Sequence, residues 1–381
     1  MSIGIIIAIL GLAGGIIYII QLVAADPTEL SSAVGGAALL VVGVGLGGAL
    51  AWHGRRAVRR ESSDLLRLPA FWLLLLFYLP IIVVGQILIS LDLWPALTFP
   101  LFHILAAAIP PLAILAFAAS MFKATLPRWR DVTLQLASGI FLSTLIGFIT
   151  EIVLGVLLFL AVALGAALRP AGLASLEQLA ENLQDPFFIQ NPDNVLSLIM
   201  SPPVLVTGAI IVVVLAPLIE ELIKPLGVYL MSYRRPSRAQ VFLWGLASGA
   251  GFALAENLFN TIAGLDVWAV VMVFRLGGTA MHCLGSGLVA LGWRDFLVER
   301  HPWPLVRAYA ISAATHSLWN LSAIGLAGLS MFTLGQSNET ILALIGGIAL
   351  LLVVFLFVLS GAIVIALVVL TYRLRAGIDR I

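Results

Sequence analysis

The stretch "LAPLIEELIKPLGVYLM", residues 215–231, sets Glu220, Glu221 and Lys224 between two prolines, Pro217 and Pro225, in a run otherwise as apolar as lipid. One charged side chain at the centre of a bilayer costs about 2.5–3.5 kcal/mol on insertion scales. Three within five residues therefore need partners or a purpose. The rest of the chain says which medium surrounds them. It has 381 residues, 61% of them hydrophobic and only 10% charged, where a soluble domain carries about 25% charged residues. That composition excludes a soluble domain and defines an integral membrane protein. Its one cysteine, Cys283, excludes an intramolecular disulfide.

A helix crosses the hydrocarbon core with about 20 apolar residues. Runs of that length fall at roughly 3–24, 33–52, 69–90, 99–122, 135–166, 204–231, 240–263, 268–293, 306–334 and 341–372. The first lacks a basic leader and reads as a retained span, although "VAADP" resembles a weak cleavage site. Basic loops such as "HGRRAVRRESSDLLRLP", "SYRRPSRAQ" and "RDFLVERHPWPLVR" alternate with loops nearly free of Lys and Arg, where Arg169 is the lone exception. The positive-inside bias places the basic side in the cytoplasm. The expected fold is thus an all-α, polytopic helical bundle of about ten transmembrane helices, with both termini cytoplasmic. Residues 132–168 are too long for one straight crossing. Splitting them would flip the basic loops outward, so they predict one long helix.

Four parts are expected along the chain. Residues 1–168 form a five-span accessory region, with His103 and Glu151 as its main ionisable groups inside spans. Residues 169–203 form an extracytoplasmic loop with an amphipathic helix, in which Leu173, Leu176, Leu179 and Leu183 share a face. That face suits the membrane surface or neighbouring helices. Residues 204–334 hold nearly all the remaining intramembrane polar groups. Residues 335–381 supply a last span and a cytoplasmic tail.

Those polar groups come one set per span: Glu220, Glu221 and Lys224; then Glu256 and Asn257; then Arg275 and His282; then His316 and Asn320. Counting to the nearest cytoplasmic polar residue puts Glu220, Glu256, His282 and His316 about 14–24 Å deep along their helices. Antiparallel neighbours at one depth can converge. A carboxylate out of bulk water can act as a general base, and imidazoles opposite it can steady an oxyanion or bind a metal. Each residue also has a plainer reading. Glu220–Lys224 is an i, i+4 pair that can simply hold a helix. Arg275 can snorkel to the outer interface. Ser286 and Cys283, in a glycine-rich helix, suit close packing better than nucleophilic attack. The two prolines remove backbone hydrogen bonds and predict a kink, tolerated at depth only beside protein or a wet cavity.

In this order, "EELIK" (Glu220, Glu221, Lys224), "FALAEN" (Phe252, Glu256, Asn257), His282 and "HSLWN" (His316, Asn320) resemble the motifs of the PrsW family of intramembrane proteases over about residues 204–330. That family is grouped with type II CAAX-prenyl proteases, bacteriocin-processing relatives and the scaffold subunit of gamma-secretase. The resemblance implies an endopeptidase that cleaves membrane-protein substrates inside the lipid bilayer, with no nucleic-acid partner. Glu220 would activate water, with Glu221 sharing or replacing that role. Glu256, His282, His316 and Asn320 would complete the catalytic set, and Lys224, Asn257 and Arg275 would support it. A zinc ion on Glu220, Glu256, His282 and His316 and a metal-free glutamate mechanism both fit. The expected location is a prokaryotic plasma membrane. A non-catalytic scaffold and a proton-coupled transporter are the competing readings; the transporter predicts an inverted repeat, which the sequence lacks.

Overall fold

The computed structural model describes residues 1–24, 30–122, 127–185, 187–333 and 336–377. Most of the "VAADP" stretch and the charges Lys123, Asp379 and Arg380 lie outside the described residues. Among the described residues the structure is helical throughout, apart from a single bridge between Leu65 and Arg128. The helices are α1 (Ser2–Ala24), α2 (Leu30–Val58), α3 (Phe71–Ser90), α4 (Pro95–Met121), α5 (Trp129–Ala167), α6 (Pro170–Gln184), α7 (Pro192–Ile199), α8 (Pro202–Arg234), α9 (Arg238–Phe259), α10 (Trp268–Glu299), α11 (Trp303–Thr333) and α12 (Glu339–Arg375). Nine of the described helices are long and apolar enough to cross a membrane. The tenth expected span, α11, has 31 residues, but His316, Asn320 and its serines leave it less apolar than the other nine. This chain is a multi-pass helical membrane protein.

Lipid contact explains what would otherwise be an aggregating surface. On α12, Leu344, Leu351 and Ile365 are exposed, whereas Leu356, Ile363, Leu367, Leu370 and Leu374 are buried at helical spacing. α9 differs: every residue from Val241 to Ala253 is buried. A helix enclosed on all sides needs no polar face, so its sequence shows no stripe.

By contacts the chain separates into two compact units, residues 1–144 with 221–381, and residues 145–220. In the first, α1 and α2 pair through glycines. A methyl on Gly11 would lie 2.7 Å from the Gly43 Cα, so these backbones approach as small residues allow. α9 is held between α10 and the start of α5. A methyl on Gly249 would collide with the His282 carbonyl, and one on Gly251 with the Leu136 carbonyl. α10, α11 and α12 then pack in sequence, closing a core that includes Phe242, Leu246, Met281, Trp319 and Leu356.

The second unit contains the end of α5, α6, α7 and the start of α8. Gly155 faces Ile211, whose Cδ1 would lie 2.9 Å from an added methyl. The amphipathic helix expected at residues 169–203 is α6, and none of its residues is buried. In α8, residues Ile211–Leu215 form a wide π-helical turn. Pro217 follows directly; it lacks an N–H and crowds the preceding turn, and a wider turn relieves that crowding.

Candidate active site

The second proline of α8 shapes the site. The helix stops at Ile223 and restarts at Leu226, so Pro225 forms a break. The carbonyls just before it lose their helical donors. In the first unit, hydroxyls replace them. Ser143 Oγ donates to the Ile223 carbonyl at 3.1 Å, and Ser248 Oγ donates to the Lys224 carbonyl. These two carbonyls therefore keep a donor, and the break leaves Lys224 at the end of a turn.

Lys224 is fully buried, and its ammonium is the hub of the site. It donates to Glu221 Oε1 at 2.7 Å and to His282 Nδ1 at 2.7 Å. It also sits 4.4 Å from the centre of the Phe252 ring, a cation–π contact. Glu221 Oε1 accepts a second hydrogen bond from His316 Nδ1–H at 3.0 Å. His282 Nε2–H donates to Glu256 Oε2 at 2.6 Å. The two imidazole rings lie edge to face, 4.9 Å between centres. Each histidine therefore has a carboxylate at one ring nitrogen. That fixes the tautomers: the proton is on Nδ1 of His316 and on Nε2 of His282.

A further layer anchors Glu256. Arg275 Nη2 donates to Glu256 Oε2 at 2.7 Å, and Arg275 Nε donates to Asn257 Oδ1 at 2.6 Å. Asn257 Nδ2 in turn donates to Thr279 Oγ1 at 3.1 Å and to the Ala107 carbonyl at 3.3 Å. Arg275 thus turns inward to its protein partners instead of snorkelling. Glu256, bonded to both Arg275 and His282, stands as an orienting carboxylate behind the imidazole.

The structure brings together Glu221, Lys224, Glu256, Asn257, Arg275, His282 and His316. Glu220 is buried and precedes Glu221 on the same helix. Lys224 is hydrogen-bonded to Glu221 on its own helix, at i, i+3. Asn320 lies one turn beyond His316 on α11 and is half-buried, while the carboxylate orienting His316 is Glu221. Ser286 is buried where α10 meets α9; a methyl on Gly245 would lie 2.7 Å from its carbonyl. Cys283 is buried and unoxidised. Three contributors escaped sequence reading. Ser143 and Ser248 are hydroxyls in apolar helices, and only the Pro225 break explains them. Gly285 faces Glu221: a methyl there would lie 2.6 Å from Glu221 Oε2. That oxygen is buried and has no hydrogen-bond partner.

The donor set suits a metal. Two imidazoles, each oriented by a carboxylate, with further carboxylate oxygens nearby, are the ligand types zinc uses. One of those oxygens, Glu221 Oε2, is buried and unpartnered.

Buried acid–base groups converging from four helices of an apolar bundle mark a class: polytopic membrane proteins with ionisable groups gathered in their interior. The model of the family described as "PrsW family intramembrane metalloprotease" matches residues 127–361, more than half of the chain, and the chain belongs to that family. The match begins in the basic loop before α5, well upstream of the motifs, and ends in α12. No curated protein and no solved structure matches the chain. Family membership makes it an intramembrane protease.

Proposed function

We propose that this protein is an endopeptidase that hydrolyses peptide bonds of membrane-protein substrates, with water activated by the Glu220–Glu221 pair. The observation that carries this reading is the pair of histidine–carboxylate dyads, His316–Glu221 and His282–Glu256, meeting at Lys224. Glu221 is engaged by Lys224 and His316, so its role is to hold both. Glu220, its chain neighbour, takes the proton from water. Water oxygen adds to the substrate carbonyl carbon, the C–N bond breaks, and the proton passes from Glu220 to the departing amine. The only N–H groups of neutral His282 and His316 face Glu256 and Glu221, so these imidazoles stabilise the carbonyl oxygen as it becomes negative by carrying a second proton. Asn320 positions substrate or His316.

Zinc, when bound by His282, His316 and a carboxylate of the Glu220–Glu221 pair, supplies Lewis acidity toward the carbonyl and lowers the pKa of water. Glu256 then orients His282 and Arg275 orients Glu256. A metal-free glutamate mechanism is the second reading. It is favoured by one observation: the Lys224 ammonium already engages the lone pair of His282 Nδ1. The family resemblance alone supports a single-span regulator, such as an anti-sigma factor, as substrate. The resemblance also supports a prokaryotic plasma membrane as location and kinship with type II CAAX-prenyl proteases.

The test is hydrolysis of candidate single-span proteins by the purified chain in nanodiscs. Wild type should cleave, and Glu220→Gln and Glu221→Gln should not. Equal cleavage by all three would remove the glutamate assignment. Loss of activity with a chelator and its return with zinc would select the metal version; indifference to chelator would select the metal-free one.

A further inference from the structure

A cavity of about 200 Å3 lies between α10, α11 and α12, with Met281, Leu284 and Leu288 among its apolar walls. Its rim includes Ile311, Ala362 and Ala366, all exposed on the surface that faces lipid. Its floor is Gly285 and Ser312, both buried, with Ser312 Oγ donating to the Gly285 carbonyl at 3.3 Å. Immediately behind the floor is Glu221 Oε2. It is buried and unpartnered, at the position a side chain on residue 285 would need. The groove thus leads from the lipid-facing surface to Gly285, the residue that lies between its floor and Glu221 Oε2.

We propose that this groove is where substrate reaches the site, and that its occupant is an extended aliphatic stretch of the substrate's membrane segment. The inference rests on the protease reading above. One feature selects a peptide over a lipid tail. The walls take aliphatic side chains, which either ligand could supply. The floor, however, leads to an acceptor oxygen without a donor. An acyl chain has no N–H to offer it. A peptide unwound inside a bilayer has N–H groups that must find acceptors, and Glu221 Oε2 is one. Gly285 is then a specificity-determining position, because a side chain there would collide with Glu221 Oε2. Small groove volume selects substrates that are aliphatic and unbulky next to the cleaved bond.

The experiment uses the full chain in nanodiscs and a synthetic single-span Leu/Ala peptide of about 22 residues carrying diazirine-bearing leucine, with crosslinks mapped by mass spectrometry. A diazirine-bearing phospholipid is the second probe. The expected result is peptide labelling concentrated at Ile311, Thr315 and Ala362. Ala362→Trp, which fills the groove from its exposed rim without burying anything new, should lower that labelling about tenfold. Leu351→Trp, on the exposed face of α12, should leave it unchanged. Gly285→Ala should lower labelling near the floor, and Ala362→Trp keeps the test decisive if that variant does not fold. Labelling spread evenly over the lipid-facing helices, or untouched by Ala362→Trp, overturns the proposal. So does phospholipid labelling of the groove that the peptide fails to displace. The two readings separate cleanly. If the peptide is cleaved but labels elsewhere, the groove assignment falls and the protease stands. If it labels the groove but no membrane protein is ever hydrolysed, the protease reading falls and the groove remains a peptide site.

Discussion

Two sites in this bundle bury histidine almost completely, and they are built on opposite principles. His103, on α4, is fully buried beside Phe99 and Trp268. Its Nε2–H donates to the Leu258 carbonyl at 2.9 Å, and its Nδ1 accepts from Trp268 Nε1–H at 3.0 Å. Both nitrogens are spent on neutral groups, and the ring staples α4 to α9 and α10. His282 and His316 are as deeply buried, yet each faces a carboxylate, and Lys224 joins their two dyads. Burial and hydrogen bonding are common to both sites. Charged partners mark the second one, because ions are costly in a membrane unless function retains them.

That contrast can be broken by mutation. The largest effect is expected from the base. Glu220→Gln should lower hydrolysis by about 10²–10⁴-fold with little change in thermal stability; a loss under threefold on any cleaved substrate would move the role to another residue. Lys224→Met comes next. It strips the cation from two buried groups and should destabilise the first unit by about 3–5 kcal/mol, read from denaturant unfolding in micelles. An unchanged midpoint would mean that Lys224 is not the hub. Arg275→Lys loses the guanidinium fork that holds both Glu256 and Asn257. It should lower turnover or zinc affinity by about tenfold or more while the protein stays folded; full activity would show that Glu256 needs no anchor. The smallest catalytic effect belongs to His103→Leu. It orphans a donor and an acceptor and should cost about 1–3 kcal/mol for each, yet turnover per folded molecule should match wild type. A turnover defect there would erase the distinction between the two histidine sites.

Much of this arrangement could be read from the sequence. Apolar runs located the helices, the long helix at 132–168 formed as one element, and Pro225 interrupts α8. Four motif-bearing helices meet at one site because each carries its polar group at a similar distance from a charged end. What could not be read is rotation. Whether Lys224 reaches Glu221, and whether Arg275 points inward or out to lipid, depends on how each helix turns about its axis. That angle is fixed by backbone approaches such as Gly249 against the His282 carbonyl and Gly251 against the Leu136 carbonyl. A glycine in the sequence says that something comes close, without saying what. The same blindness hid Gly285, which reads as one more packing glycine until Glu221 Oε2 is found behind it. α11 falls short of the other spans in apolarity for a related reason: the polar groups that build the site dilute the apolar signal of the helix carrying them.

The position of Lys224 has a consequence for how the molecule is made. Glu221 and Glu256 bring two negative charges into the bundle, and Lys224 and Arg275 bring two positive ones. Within these two ion pairs the charges balance; Glu220, the proposed base, stands outside them. A nascent chain can therefore leave the insertion machinery with Glu221 and Glu256 already paired, carrying their counter-ions across the lipid. On the zinc version of the proposed mechanism, biogenesis and activation would then be separate events, and a cell starved of zinc would still accumulate folded protein.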